Sequence, residues 1–267
     1  MITTDLRNAI EPAYFGERVL GFKLDTWQRE AMNIQSKRMI YNCCRQSGKS
    51  AIAAAKGYHQ SVYYPGSLTL LLSSSLRQSM ELFRKVTDMD IETEESPGKD
   101  EDSKMFMTLK NGSRIISLPG KEGSIRGYSG VNLIIIDESA RVTDELYFAL
   151  RPMLAVSGGS LLLLSTPHGK RGHFYREWEE GGEIWKRFTL TADECPRITK
   201  KFLAEEKERM PEGFFMQEYF CEFRELEEQI FSHDLIKGSL VQGDPMFERE
   251  GRGLVEGKPL FAAGARV

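Results

Sequence analysis

Three short apolar runs constrain this chain more than any other feature: Leu68-Thr69-Leu70-Leu71-Leu72, Leu133-Ile134-Ile135-Ile136 and Leu161-Leu162-Leu163-Leu164. Each has the length of a strand and lacks polar alternation, so each predicts a strand covered on both faces. Helical stretches lie between them, from Lys49 to Tyr63, stopped by Pro65-Gly66, and from Leu76 to about Met89. Such an alternation predicts an α/β fold with a mostly parallel sheet flanked by helices. Arg38–Cys43 reads as a strand preceding the three, and Trp185–Leu190 as one following them. Asn111-Gly112 between the runs 105–110 and 113–118 predicts an inserted β-hairpin. The acidic stretch from Glu92 to Asp102 reads as a solvated loop.

Composition removes several function classes. A net charge of −3 over 267 residues excludes a protein that coats nucleic acid by electrostatics alone. The four cysteines, Cys43, Cys44, Cys195 and Cys221, form no Cys-x-x-Cys pair and read as buried, reduced thiols rather than zinc ligands. No apolar run is long enough to span a membrane, and the N-terminal residues carry no secretory pattern.

Chemistry concentrates at strand ends. Arg45-Gln46-Ser47-Gly48-Lys49-Ser50 follows the first strand and opens a helix, so backbone N–H groups and the helix dipole converge there on an anion. The tripeptide Gly48-Lys49-Ser50 alone proves little, because roughly one chain in five of this composition carries it by chance; its place between strand and helix gives it weight. In that place Lys49 would reach the β- and γ-phosphates of ATP, and Ser50 would ligate Mg²⁺. The glycine that usually stands five positions before Gly48 is replaced by Cys43. Asp137-Glu138 ends the third core strand, which puts both carboxylates at the sheet edge where α/β proteins bind ligands. Asp137 is the expected Mg²⁺ residue and Glu138 the expected base for the attacking water, although an aspartate there also suits a helix cap. Ser165-Thr166-Pro167 at the next strand end offers hydroxyls to sense the γ-phosphate, or simply a polar strand terminus. Gln28 has the donor and acceptor that an adenine edge needs, while Asp25 or Thr26 beside it reads as a helix cap.

These segments, with Trp27-Gln28, Asn111-Gly112-Ser113, Arg126-Gly127, Ser165-Thr166-Pro167-His168-Gly169-Lys170 and Gln217-Glu218-Tyr219-Phe220-Cys221-Glu222-Phe223, resemble in order the ATPase domain of the large terminase subunit of tailed bacteriophages. The resemblance covers about residues 20–232. It implies a RecA-like P-loop fold of the additional-strand, catalytic-glutamate (ASCE) type, a motor that packages double-stranded DNA into a procapsid, and ATP with Mg²⁺. It implies Gln28 at adenine, Arg45, Gln46, Ser47, Gly48, Lys49 and Ser50 around the phosphates, and Ser165 and Thr166 as the coupling motif. A catalytic arginine is also implied: Arg45 in cis, or Arg114 or Arg126 presented to a neighbouring subunit. The expected partners are the portal, the small terminase subunit and further copies in a ring, typically of five, in the host bacterial cytoplasm, with no membrane. The family also has a C-terminal nuclease domain. Residues 233–267 read as a linker or its beginning, and the scattered Asp234, Asp244, Glu248 and Glu250 support no nuclease metal site. Two other readings compete: a helicase-like ATPase, which needs a second RecA-like domain, and a nucleotide-binding assembly module without translocation.

Overall fold

The computed structural model describes residues 2–92, 96–118, 127–225, 249–250 and 253–254. Two compact units divide the chain, Met1–Arg224 and Glu225–Val267. In the second, Arg249–Glu250 pairs antiparallel with Gly253–Leu254. The expected boundary at 232 and 233 lies outside the described residues, as do Asp234, Asp244 and Glu248.

The first unit opens with three helices: α1 (Ile2–Ile10), α2 (Pro12–Arg18) and α3 (Thr26–Asn33). There follow β1 (Arg38–Cys43), α4 (Lys49–Tyr63), β2 (Leu68–Leu72), α5 (Leu76–Glu92), β3 (Lys99–Asp102), β4 (Phe106–Leu109), β5 (Arg114–Ser117) and β6 (Leu133–Asp137). The chain continues through α6 (Asp144–Leu150), β7 (Ser160–Ser165), α7 (Gly172–Glu179), β8 (Lys186–Leu190), α8 (Lys200–Arg209) and α9 (Glu212–Phe220). The strands form one sheet in the order β3-β4-β5-β2-β6-β7-β1-β8, antiparallel only at β3-β4 and β4-β5.

The uniformly apolar strands are explained by burial on both faces. Met39, Tyr41, Leu71, Ile135, Leu162 and Leu164 belong to one core, packed with Ile52, Ala53 and Ala55 of α4 and Leu82 of α5. The alternate residues Ile40, Leu70, Leu72, Ile134, Ile136, Leu161 and Leu163 belong to a second, with Leu146 and Tyr147 of α6 and Phe174 of α7. Neither face is left for solvent, so period-two polarity never develops. Lys56 of α4 ties the helices together by donating from Nζ to the carbonyls of Ala31, Met32 and Ile34 at 3.3, 2.8 and 2.8 Å, so its buried ammonium caps the end of α3.

The hairpin is present, closed by a three-residue loop. Leu109 N donates to the Ser113 carbonyl (2.8 Å), and Gly112 takes the left-handed φ of +82° that the third loop residue needs. One expectation is corrected: the end of the stretch read as a solvated loop, Lys99–Asp102, is β3, paired with β4. It is an edge strand made wholly of charged residues, which serves to block further pairing and hides its strand character from a hydrophobic pattern. α5 also runs to Glu92, three residues past the expected end.

Candidate nucleotide site

The parallel register assembles the site. Asn42 of β1 lies opposite Ser165 of β7, and Asp137 of β6 opposite Leu164, so three strands end at one level. The loop 44–48 leaves β1 there, the Asp137–Glu138 pair leaves β6, and Ser165–Thr166 leaves β7. The loop turns through left-handed backbone at Gln46 (φ 59°) and Gly48 (φ 89°). A side chain on Gly48 would meet Arg197 Nη1 at 2.8 Å and Gln28 Nε2 at 3.2 Å, so glycine is needed for space as well as conformation. Cys43 requires no positive φ and is fully buried, which explains why a glycine is dispensable at that position.

Ser47 is buried and donates from Oγ to the Cys44 carbonyl at 2.9 Å, bracing the loop. Lys49, 7% exposed, donates to Thr166 Oγ1 at 3.2 Å and lies 3.3 Å from Glu138 Oε1. Thr166 in turn donates to the Cys43 carbonyl at 3.1 Å, binding the end of β7 to the end of β1. Ser165 donates to the Thr166 carbonyl at 2.7 Å. Ser50 donates to Asp137 Oδ2 at 2.6 Å, and Glu138 N donates to Asp137 Oδ1 at 2.9 Å. Burial, followed by the charge of Glu138, raises the Asp137 carboxyl above its ordinary range. Glu138 itself adopts φ 52° and ψ 40°, a left-handed conformation that costs a non-glycine residue on the order of 1 kcal/mol or more. Non-glycine residues held in this way cluster at functional sites.

A charged chain that sequence patterns did not reveal extends from these groups. Arg141 Nη1 donates to Glu138 Oε2 at 3.2 Å, and Arg141 Nη2 lies 3.5 Å from Glu218 Oε1. Glu218 Oε2 lies 3.4 Å from Arg45 Nε. Lys49, Glu138, Arg141, Glu218 and Arg45 thus alternate in sign along four ion pairs.

Behind Glu138 a buried support fixes the chain. Ser139 Oγ is 2.9 Å from His173 Nε2, and His173 Nδ1 is 3.2 Å from Asp144 Oδ1. The imidazole stacks on Tyr147 with centroids 4.2 Å apart and planes 7° from parallel. Ser139 is fully buried, so this Ser-His-Asp series braces the turn after Glu138 and presents no nucleophile. Burial pushes His173 down to about 4, and likewise His59 on α4. Both are therefore neutral when folded, while the unfolded chain takes up their protons near pH 6.5. Their contribution to stability is complete above about pH 6.5 and is lost as pH falls through about 4, at up to about 3 kcal/mol each. Asp137, with its raised carboxyl, acts in the opposite direction. Thermal melts should show Tm dropping between pH 6.5 and 4, more shallowly for His173→Gln. A flat Tm over that range would contradict the assignment.

Gln28 lies beside the loop but has work of its own. As the third residue of α3 it completes a capping box, its Oε1 accepting from Asp25 N at 3.1 Å. The same Oε1 accepts from Arg197 Nη2 at 2.8 Å, and Arg197 Nη1 donates to the Ser47 carbonyl at 2.7 Å. Arg197 Nη2 also lies 2.9 Å from Asp25 Oδ2. Arg197, which no motif flagged, therefore clamps α3 to the phosphate loop. Among the arginines considered, Arg45 is mostly exposed and faces Glu218, and Arg126 lies outside the described residues. Arg114 begins β5 opposite Leu68, the first residue of β2, at the sheet edge remote from the loop. A cavity of about 450 Å³ at that remote edge, lined in part by Lys37, His59 and Ser160, holds none of the expected site residues. Lys170 and Arg171 follow the end of β7, and Lys200 opens α8. Among the described residues no helix is long and apolar enough to cross a membrane.

The strand β7 inserted between the loop strand β1 and the carboxylate strand β6 defines the additional-strand, RecA-like P-loop class. The sequence model of the family "Terminase large subunit, T4likevirus-type, N-terminal" matches residues 40–237. The chain belongs to this family of large terminase subunits. The comparison with curated proteins gave no match. Among solved structures, the large terminase ATPase domain of Thermus phage P74-26 is similar with a TM-score of 0.70 at 21% identity, covering 80% of this chain and 99% of that one. The HK97 bacteriophage large terminase gives 0.66 at 16%, covering 80% of this chain and 55% of that one. The large terminase of a thermophilic bacteriophage in complex with ADP gives 0.60 at 13%, covering 75% and 54%. The chain thus spans little more than half the length of these last two proteins.

Proposed function

We propose that this chain is the ATP-hydrolysing motor of a phage DNA-packaging terminase. The observation that carries the reading is the meeting, at one sheet edge, of Lys49 with Glu138 and Thr166, and of Ser50 with Asp137 at 2.6 Å. An ADP complex of a structurally similar terminase supports nucleotide as the ligand. The residues fit Mg²⁺: a hydroxyl and a buried carboxylate already in contact are oxygen donors suited to a hard cation, and the raised Asp137 carboxyl gains from a positive neighbour. Ser50 and Asp137 would hold the ion, which when bound neutralises charge on the phosphate oxygens.

The chain's own groups supply the rest. Backbone N–H groups of residues 46–50 receive the phosphates, with Lys49 between the nucleotide and Glu138. Glu138 orients a water and takes its proton. Ser165 and Thr166 lie where the presence of a γ-phosphate is transmitted through Lys49 to β1 and β7. Gln28 meets the adenine edge, Arg45 the phosphates in cis, and Arg126 a neighbour's nucleotide in a ring of five. The coupled work is translocation of double-stranded DNA into a procapsid in the host cytoplasm, with the portal and the small terminase subunit as partners.

The test is phosphate release from ATP by the full 267-residue chain, with Mg²⁺ or with EDTA, for the wild type and Asp137→Asn. Turnover that requires Mg²⁺ and falls sharply in Asp137→Asn is expected. Absence of both turnover and ATP binding in the Mg²⁺-loaded wild type would overturn the reading.

A further inference from the structure

Glu218 is the least expected member of the charged chain. It sits in the last turn of α9, 8% exposed, with Arg45 Nε at 3.4 Å from one oxygen and Arg141 Nη2 at 3.5 Å from the other. Both distances exceed the 2.7–2.9 Å typical of charge-assisted hydrogen bonds, and the buried Oε2 has no hydrogen-bond partner. A carboxylate held in this way is costly, because its desolvation is only partly offset.

Its surroundings are firmly anchored. The Glu218 carbonyl accepts from Arg45 N at 3.1 Å. Next to it, Gln217 Oε1 accepts from Gly169 N at 3.2 Å, just past the coupling motif. At the helix end, Asn42 Nδ2 of β1 donates to the Cys221 carbonyl at 2.9 Å. Glu218 is therefore a fixed carboxylate between two arginines, Arg45 mostly exposed and Arg141 half-buried. Arg141 reaches the same carboxylate that is assigned as base, Glu138, with its other terminal nitrogen.

We propose that Glu218 is a positioning residue for hydrolysis: it draws Arg141 partly off Glu138. This rests on the ATPase reading. Without Glu218, Arg141 would close its whole fork on Glu138, and a carboxylate gripped bidentately is a poor acceptor for a water proton. When triphosphate enters, its charge competes with Glu218 for both arginines, which frees Glu138 only in the loaded site.

The test is steady-state ATPase of the full chain as Glu218→Gln, Arg141→Gln and the double variant, with Tm and binding of a fluorescent ATP analogue measured alongside. Glu218→Gln is expected to lower kcat about 10–100-fold, the scale of a misplaced reacting group, with KM changed less than about twofold. The double variant should be no slower than Arg141→Gln, because Glu218 acts through Arg141. Wild-type kcat in Glu218→Gln, or multiplicative losses in the double variant, would overturn the proposal while leaving the ATPase reading intact. If the wild type hydrolyses no ATP, both fall together. Should Glu218→Gln fail to fold, Glu218→Asp, which keeps the charge but draws it back from Arg141, carries a kcat loss in the same direction.

Discussion

Replacing Glu138 with Gln should lower kcat for ATP hydrolysis by about 10²–10⁴-fold while ATP binding persists, the range for losing a positioned general base. The variant isolates proton transfer. Gln keeps the size of Glu and an oxygen that can accept from Lys49 and Arg141, which stand 3.3 and 3.2 Å from the carboxylate. It also bears the left-handed backbone at φ 52° no worse than Glu does. Asp137, the loop and Thr166 are untouched, so the phosphates should still be received. Alanine would be a poorer choice, since it also deletes the partner of two buried or half-buried cations. A fluorescent ATP analogue binding within about threefold of wild type, together with collapsed single-turnover hydrolysis, is the expected pair of results. If hydrolysis stays within about threefold of wild type, Glu138 is not the base.

What could be read in the sequence, and what could not, divides by how each residue obtains its role. Strands β2, β6 and β7 were legible because burial on both faces writes a nearly continuous apolar run. The Gly48-Lys49-Ser50 and Asp137-Glu138 segments were legible because backbone geometry ties their chemistry to a strand end. β3 was not, because an edge strand of Lys99-Asp100-Glu101-Asp102 advertises solvation and not pairing. Arg141, Arg197 and Glu218 were missed for another reason. Each acts on a segment brought close only by tertiary structure, Arg197 on Ser47 and Gln28, Glu218 on Arg45 and Arg141. The segment Gln217–Phe223 resembled a family motif, but no local pattern says that its carboxylate meets an arginine of the phosphate loop. The cap reading of Asp25 or Thr26 and the adenine reading of Gln28 were both open in sequence. The fold uses its oxygen in the cap and on Arg197, which leaves its amide nitrogen, 3.2 Å from the space above Gly48, as the group that faces the loop.

The second large effect is expected at Lys49. Lys49→Met should reduce kcat/KM for ATP by about 10³-fold or more, because a preorganised cation at the transferring phosphate is lost. It should also weaken ATP binding about 10–100-fold, the equivalent of one charge-assisted contact of about 1.5–3 kcal/mol. Methionine keeps most of the volume of the buried lysine stem, so the deficit is one of charge. That charge has no substitute nearby. Arg141 is already shared between Glu138 and Glu218, and Arg45 is turned to Glu218. Lys49→Arg should not rescue: a planar fork cannot occupy the narrow position 3.2 Å from Thr166 Oγ1 and 3.3 Å from Glu138 without displacing one of them. Titration with the fluorescent analogue and phosphate-release kinetics on the three proteins would check this. Equal kcat/KM in Lys49→Met and wild type would mean that the phosphates are gripped by the loop backbone alone, and that Lys49 serves only to tie Glu138 to Thr166.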